Sequence, residues 1–297
     1  VSMLTLYVLL GPTAVGKTEF ALRMAESLGC PILNCDSRQI YRGMEIGTAA
    51  PTAEQLQRVN HYFVGTHSVG SYYSAAQYEQ DVLSLVAELE GKHQSLLLSG
   101  GSMLYIDAVC KGLDDIPDIP AQIREQVRQD YQSKGLEWLQ AEVQRLDPTY
   151  WLQVDQKNPQ RLMHCIEVTL ASGQPYSNYR KGGRTAQERG FDVEYIMIER
   201  PREELYERIN LRVHKMMEQG LLSEAQRAFD KLGLLNNNPL DESTIPNSVN
   251  TVGYKELLKY FRGEWTLERA IEMIQQNSRH YAKRQMTWWR SRLNIIQ

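Results

Sequence analysis

The chain alternates between two hydrophobic periods, and the places where it switches outline its elements. Residues 3–10 form an apolar, β-prone run, while Phe20, Ala21, Met24, Ala25 and Leu28 recur at helical spacing. A first core strand followed by a helix is predicted from that change. Residues 31–35 read as a second, short buried strand, residues 61–66 as a third, and Leu96, Leu97 and Leu98 as the centre of a fourth. Ser74 with Gln77 three positions later is a capping-box signature for a helix through Val82, Leu85, Val86 and Leu89, with Gly91 as its stop. A further helix starts at Met103. Strands separated by amphipathic helices predict an α/β fold with a parallel sheet flanked by helices.

From Leu113 the strand pattern disappears. The stretch DDIPDIP reads as a proline-rich hinge, followed by a helix over residues 121–134 that Gly135 stops. A second helix carries Leu136, Leu139, Val143 and Leu146. A third starts at Pro159, in the first helical position after Asn158, and runs through Leu162, Ile166 and Leu170 to Gly173. Residues 193–198 restore the strand pattern, so the sheet resumes after an excursion of roughly 75 residues, enough for a small helical unit. The expected organisation is residues 1–113 as the first part of the core, 114–191 as an inserted small all-helical domain, and 192–297 as the second part of the core. That last part holds a helix over residues 201–219, a breaker-rich loop from Asn236, a long helix capped by Thr266 and a closing strand over residues 293–296.

Composition narrows the class. At 297 residues with 42% hydrophobic content the chain has ample core, and no apolar run approaches the ~20 residues that span a bilayer. Residues 3–10 lack a basic segment before them and a small-residue cleavage site after them, so they read as a core strand and not a secretory segment. Cys30, Cys35, Cys110 and Cys165 form no C-x-x-C pair and no zinc spacing, which fits reduced thiols in the cytoplasm. A net charge of −3 argues weakly against nucleic acid as a partner. Locally the balance reverses: Arg279, Lys283, Arg284, Arg290 and Arg292 face no acidic residue between them.

The chemistry concentrates in Gly11–Thr18, GPTAVGKT, which matches G-x-x-x-x-G-K-[ST] between the first strand and first helix. Backbone N–H groups of such a loop, with the dipole of the following helix, form an anion site for a di- or triphosphate. Gly11, Pro12, Thr13, Ala14, Val15 and Gly16 would build the cradle, Lys17 would add charge, and the Thr18 hydroxyl is placed for Mg²⁺. This makes the expected core a P-loop NTPase or kinase-like sheet. Asp36 follows the second strand, where it can act as a general base or serve only as a turn aspartate. The fourth strand ends in Ser99-Gly100-Gly101-Ser102, not in the Mg²⁺-supporting Asp of many nucleotidases, which counts against an ATPase. Arg208 and Arg212 share a helix face and either clamp a leaving phosphate or form a solvated stripe. RHYAKRQMTWWR near the end combines cations with aromatics, a pattern for single-stranded nucleic acid that a basic amphipathic helix also produces; Lys283 and Arg284 are its candidate RNA contacts. Three classes stay open on the residues: a small-molecule or nucleotide kinase using ATP, a transferase whose leaving group is a diphosphate, and a non-enzymatic nucleotide-binding interaction protein.

In order along the chain, GPTAVGKT, DSRQIYRGMEIGTA, GGSMLY, NPQRLMHCIEV, RINLRVHKMMEQGL and KRQMTWWR resemble the bacterial tRNA dimethylallyltransferases over nearly the whole length. The resemblance implies transfer of a dimethylallyl group from dimethylallyl diphosphate to N6 of the adenosine immediately 3′ of the anticodon, by a cytoplasmic monomer with Mg²⁺. It implies that Asp36 takes the N6 proton, that Thr13 contacts the bridging oxygen, and that Lys17, Thr18 with Mg²⁺, and Arg212 neutralise the departing diphosphate. Asp36, Ser37, Arg38, Gln39, Ser102 and Arg124 fall where the family touches tRNA, as do Gln160, Arg161, Leu162, Met163 and His164. Three positions depart from the family pattern: Ser102 stands for a common Thr, His164 for a common Arg, and Ala50 for the usual Lys.

Overall fold

The computed structural model describes residues 3–180, 186–236 and 245–292, and these divide into two compact units. One comprises residues 1–110 and 185–297, the other residues 111–184. The closing strand expected at residues 293–296 lies outside the described residues.

The larger unit is built on a sheet of five parallel strands: β1 (Leu4–Leu10), β2 (Ile32–Asn34), β3 (His61–Tyr62), β4 (Ser95–Ser99) and β5 (Phe191–Met197), in the order β3-β2-β4-β1-β5. Its central strands are buried on both faces, which is why they read as continuous apolar runs: Leu6, Val8, Leu9, Leu33, Leu96, Leu97 and Leu98 have no exposed surface. Helices α1 (Lys17–Leu28), α2 (Ala53–Arg58) and α3 (Ala75–Leu89) connect the first four strands, and α4 (Met103–Lys111) follows β4. The capping box at Ser74 forms, its hydroxyl accepting from Gln77 N while the Gln77 side chain accepts from Ser74 N.

Two strand boundaries differ from the sequence expectation by two residues or more. The third strand stops at Tyr62 because Phe63 adopts φ 64°, left-handed backbone that leaves the extended path, and the Phe63 carbonyl turns to accept from Asn34 Nδ2. The fifth strand begins at Phe191, two residues early, in parallel register with Leu4.

In the helical unit, α5 (Ala121–Leu146) is broken at Gly135, whose φ of 76° and ψ of −172° interrupt the helix where a stop was read. Then come α6 (Pro148–Trp151), α7 (Pro159–Ser172), with Asn158 as N-cap and Gly173 as left-handed C-cap, and a 3₁₀ turn over Tyr176–Tyr179. Val127, Leu139, Val143, Leu162 and Ile166 form its own core. Asp147, almost wholly buried, caps α6 through Tyr150 N and also accepts from Ser177 N and Oγ.

The larger unit continues with α8 (Ala186–Arg189), which leads into β5, then α9 (Arg202–Glu218), α10 (Leu221–Lys231), α11 (Tyr254–Phe261) and α12 (Leu267–Arg292). Two buried carboxylates tie these helices to the chain around them. Glu224 accepts from Ile46 N, Gly47 N and the Tyr254 hydroxyl, while Glu256 accepts from Gly253 N and Asn277 Nδ2. Each charge is removed from water but surrounded by donors, the condition under which a buried carboxylate is tolerated.

Close approach of the β2 and β4 ends depends on Gly100: a Cβ there would lie 2.0 Å from the Cys35 carbonyl oxygen. Gly91, with φ 80° and open space around it, faces only backbone strain. Gly100→Ala is therefore expected to lower stability by about 3 kcal/mol, and Gly91→Ala by about 1 kcal/mol, in urea unfolding. Equal losses would mean that the contact between the two loops does not constrain the fold.

Candidate active site

Parallel topology brings the loops after β2, β4 and β1 side by side at the carboxyl edge of the sheet, where open α/β sheets build their sites. Asp36, Gly100-Gly101-Ser102 and Gly11–Thr18 converge there. Further donors come from the segment after β5 and from α9 and α12, as the hydrogen bonds below show.

The anion loop is shaped by backbone conformations that its sequence permits. Gly16 sits at φ 107°, and a Cβ on Gly11 would meet Ile198 O and Val15 Cγ1 at 2.9 Å each. The N–H groups of Gly16, Lys17 and Thr18 take no backbone or side-chain acceptor among the described residues, leaving the N-terminus of α1 open to an anion. Four of the loop's carbonyls instead face cations. Lys17 Nζ donates to Gly11 O at 2.6 Å and Pro12 O at 2.9 Å, Arg208 Nε to Ala14 O at 2.8 Å, and Arg200 Nε to Val15 O at 2.7 Å.

Thr13 is held from two sides. Its N–H donates to Gln285 Oε1 at 2.9 Å, and its hydroxyl accepts from Arg212 Nη1 at 3.1 Å. The hydroxyl proton is thereby left for a ligand. Asp36 Oδ1 accepts from Arg38 N at 2.9 Å and Gln39 N at 3.3 Å, so half of this carboxylate does turn duty. Its Oδ2 takes no hydrogen bond among the described residues and lies 3.9 Å from the place a Cβ of Gly101 would occupy. Ser102 Oγ accepts from Ser37 N at 2.7 Å and donates to Ser37 Oγ, which fastens the loop after β4 to the Asp36 turn.

Two cavities, of about 580 and 360 Å³, meet at Thr13, Asp36, Thr48, Ala49, Arg212 and Tyr281. Their walls differ because α9 presents two adjacent stripes. Ile209, Val213 and Met216 line the larger cavity, and Arg208, Arg212 and Lys215 line the smaller one with Lys17 and Thr18. Residues one position apart on a helix are rotated by about 100°, so one element supplies an apolar wall and a cationic wall. The arrangement suits a molecule with an anionic head and an apolar tail, with a polar acceptor group meeting it beside Asp36.

Burial, reinforced by the nearby Arg212 charge, lowers the Lys17 pKa to about 7, with Asp36 acting in the opposite direction. Arg212 is also shifted down, by burial first and then by Arg208, with Asp36 opposing. Among the described residues that line the two cavities, Asp36 is the one carboxylate beside Lys17, Arg208, Arg212 and Lys215.

A profile of the IPP transferase family matches residues 39–292. The chain belongs to the IPP transferase family. It is 49% identical to tRNA dimethylallyltransferase 1 of Bacteroides thetaiotaomicron, over 97% of this chain and 89% of that protein. It is 37% identical to the tRNA dimethylallyltransferase of Flavobacterium psychrophilum, over 98% and 92%. Among solved structures, the tRNA isopentenylpyrophosphate transferase of Bacillus halodurans aligns with a TM-score of 0.66 at 31% identity, over 99% of this chain and 88% of that one. A eukaryotic dimethylallyltransferase acting on tRNA shares the fold, with a TM-score of 0.80 at 20% identity over 96% and 70%. Membership in the IPP transferase family favours group transfer over the kinase reading.

The remaining candidate residues distribute as follows. Ser37, Arg38 and Ser102 line the larger cavity, and Gln39, which donates to Thr48 O and Ala49 O, lines the smaller. Arg124, Gln160 and Arg161 are exposed on the helical unit, whereas Leu162 and Met163 are buried in its core. His164 is half-buried, with its pKa lowered by burial and by Arg124. Lys283 and Arg284 are exposed on α12. Gln285, Tyr281, Arg200 and Glu224 were not singled out from sequence. The only signal for the first two is helical spacing: Gln285 falls three residues after Ala282 and four before Trp289 on the buried face of α12, and Tyr281 falls four before Gln285.

At pH 8 the ligand-free Lys17 amine is mostly neutral, and an anion raises its pKa and draws a proton onto it. Calorimetric titration of inorganic diphosphate in buffers of different ionisation enthalpy should show up to about one more proton taken up by the wild type than by Lys17→Met. Identical proton uptake would place Lys17 outside the anion site.

Proposed function

We propose that the chain transfers a dimethylallyl group from dimethylallyl diphosphate to N6 of the adenosine immediately 3′ of the anticodon in tRNA, releasing diphosphate. The observation that carries this reading is the meeting of a cationic and an apolar cavity at Thr13, Asp36 and Arg212. Relatives at about half identity named tRNA dimethylallyltransferases support the same conclusion.

In this mechanism the diphosphate rests on the open N–H groups of α1, with Lys17, Arg212 and the Thr13 hydroxyl turned to its oxygens. The dimethylallyl group extends into the larger cavity against Ile209, Val213 and Met216. The N6 lone pair forms the new C–N bond, the C–O bond breaks with its electron pair passing to diphosphate, and the N6 proton goes to Asp36 Oδ2. Lys17 and Arg212 stabilise the charge that builds on the leaving oxygen, the step at which pre-organised cations contribute most. The Asp36 turn, fixed by Arg38 N and Gln39 N, keeps the base in place.

Mg²⁺ fits the donor set. Thr18 lines the anion cavity, and among the described residues no cluster of three His, Cys, Asp or Glu stands ready to hold a metal. A cation that keeps most of its water and binds phosphate oxygens needs only one such hydroxyl from the protein. Mg²⁺ held by Thr18 and the diphosphate would add positive charge to the leaving group.

The target base reaches such a site only when flipped from its stack. Asp36, Ser37, Arg38, Gln39 and Ser102 meet it near the cavities. Arg124, Gln160, Arg161 and His164 serve as contacts on the helical unit and Lys283 and Arg284 on α12, while Leu162 and Met163 hold the helix that carries their neighbours. The enzyme acts as a cytoplasmic monomer; among the described residues no helix is long and apolar enough to cross a membrane.

The test supplies purified protein with dimethylallyl diphosphate plus an anticodon stem-loop, or with ATP plus small hydroxyl acceptors. Turnover is expected only with the first pair. Asp36→Asn, which keeps the turn's acceptor oxygen, should lose about 10²- to 10⁴-fold in rate while binding diphosphate nearly as well as the wild type. Turnover only with ATP would contradict the proposal, and equal loss of rate and diphosphate affinity would make Asp36 structural.

A further inference from the structure

We infer that Gln285 is a positioning residue that sets the separation between the leaving-group site and the Asp36 carboxylate. This rests on the reading that Gly11–Thr18 holds the diphosphate and Asp36 takes the proton. The side-chain amide of Gln285, 1% exposed, spans the two loops: Oε1 accepts from Thr13 N at 2.9 Å and Nε2 donates to Gly101 O at 2.9 Å. Both partners have fixed polarity, so the amide has one orientation. The ladder between β1 and β4 ends at Leu9 and Ser99, and beyond it no other hydrogen bond among the described residues joins the two loops directly.

Each end of this strut touches the reacting geometry. Thr13 lines both cavities, and its backbone N–H is given to Gln285, so its hydroxyl, supported by Arg212, is the group it presents to the anion. At the other end Gly101 lies between the amide and the base. A Cβ there would sit 2.7 Å from Gln285 Nε2 and 3.9 Å from Asp36 Oδ2, so a side chain at this position would displace the Gln285 amide. Tyr281, one turn earlier on α12, donates to the same Gly101 carbonyl at 2.9 Å and lines both cavities. The strut is itself anchored, since Ala282 packs with Val15, Leu205 and Ile209. Transfer between a held donor and a held acceptor requires the reacting atoms near contact, and a displacement of about 1 Å can cost 10²-fold in rate.

The experiment compares wild type with Gln285→Asn, whose shorter side chain keeps an amide but cannot span both partners, and with Gln285→Ala. Single-turnover transfer from dimethylallyl diphosphate to an anticodon stem-loop is measured beside the Kd for inorganic diphosphate and the thermal midpoint. The expected result is a single-turnover rate lower by about 10- to 100-fold in both variants, with the diphosphate Kd changed less than about threefold. An unchanged rate in Gln285→Asn would overturn the positioning role. So would equal losses of rate and diphosphate affinity, since these mean that Gln285 only maintains the anion loop. A wild type that transfers nothing in the same assay contradicts the transfer reading itself, a result distinct from either.

Discussion

Two cations buried beside one carboxylate govern the larger unit. Lys17 and Arg212 are drawn out of water, each with its pKa lowered first by that burial, and Asp36 is the anionic neighbour that both sense. In the ligand-free protein Lys17 Nζ turns back onto carbonyls of its own loop, and Arg212 donates to the Thr13 hydroxyl. An arrangement with this surplus of buried positive charge is completed by an anion, and a diphosphate supplies enough charge to take over both cations.

The rest of the fold places this charge against an apolar space. α9 does so by helical geometry, with Arg208, Arg212 and Lys215 on one stripe and Ile209, Val213 and Met216 on the next. Gly47, Thr48 and Ala49 also line the larger cavity, and this segment is held by Glu224, whose carboxylate takes Ile46 N, Gly47 N and the Tyr254 hydroxyl. A Cβ on Gly47 would meet that tyrosine hydroxyl at 2.5 Å, so the wall and α11 are fitted to contact. These buried polar groups are satisfied by donors distant in sequence, which binds the catalytic edge to the second half of the chain.

The anion loop was legible because its requirements are local. Gly16 needs left-handed backbone, Gly11 needs room beneath the Ile198 carbonyl, and the following residues repeat at helical spacing. The parallel sheet and the break at Gly135 were legible for the same reason. The third strand was overextended because nothing in HYFVGT announces that Phe63 adopts positive φ, a conformation imposed by the loop that meets Asn34. Gln285 escaped notice because its partners, Thr13 and Gly101, lie 272 and 184 residues away. In RHYAKRQMTWWR, read as a basic, aromatic surface, Ala282, Gln285 and Trp289 are buried and Tyr281 lines the cavities, while Lys283, Arg284 and Arg290 are exposed. The stretch is a basic amphipathic helix, with cations on one side and core residues on the other.

The central claim is that the loop grips a diphosphate that departs intact, so the bond that breaks lies on its carbon side. Dimethylallyl diphosphate labelled with ¹⁸O at the oxygen joining carbon to phosphorus tests this directly, by mass spectrometry of the released diphosphate and of the modified RNA. The label is expected wholly in the diphosphate, with none in the RNA. Diphosphate or phosphate released without the label would mean cleavage at phosphorus, and would contradict the account.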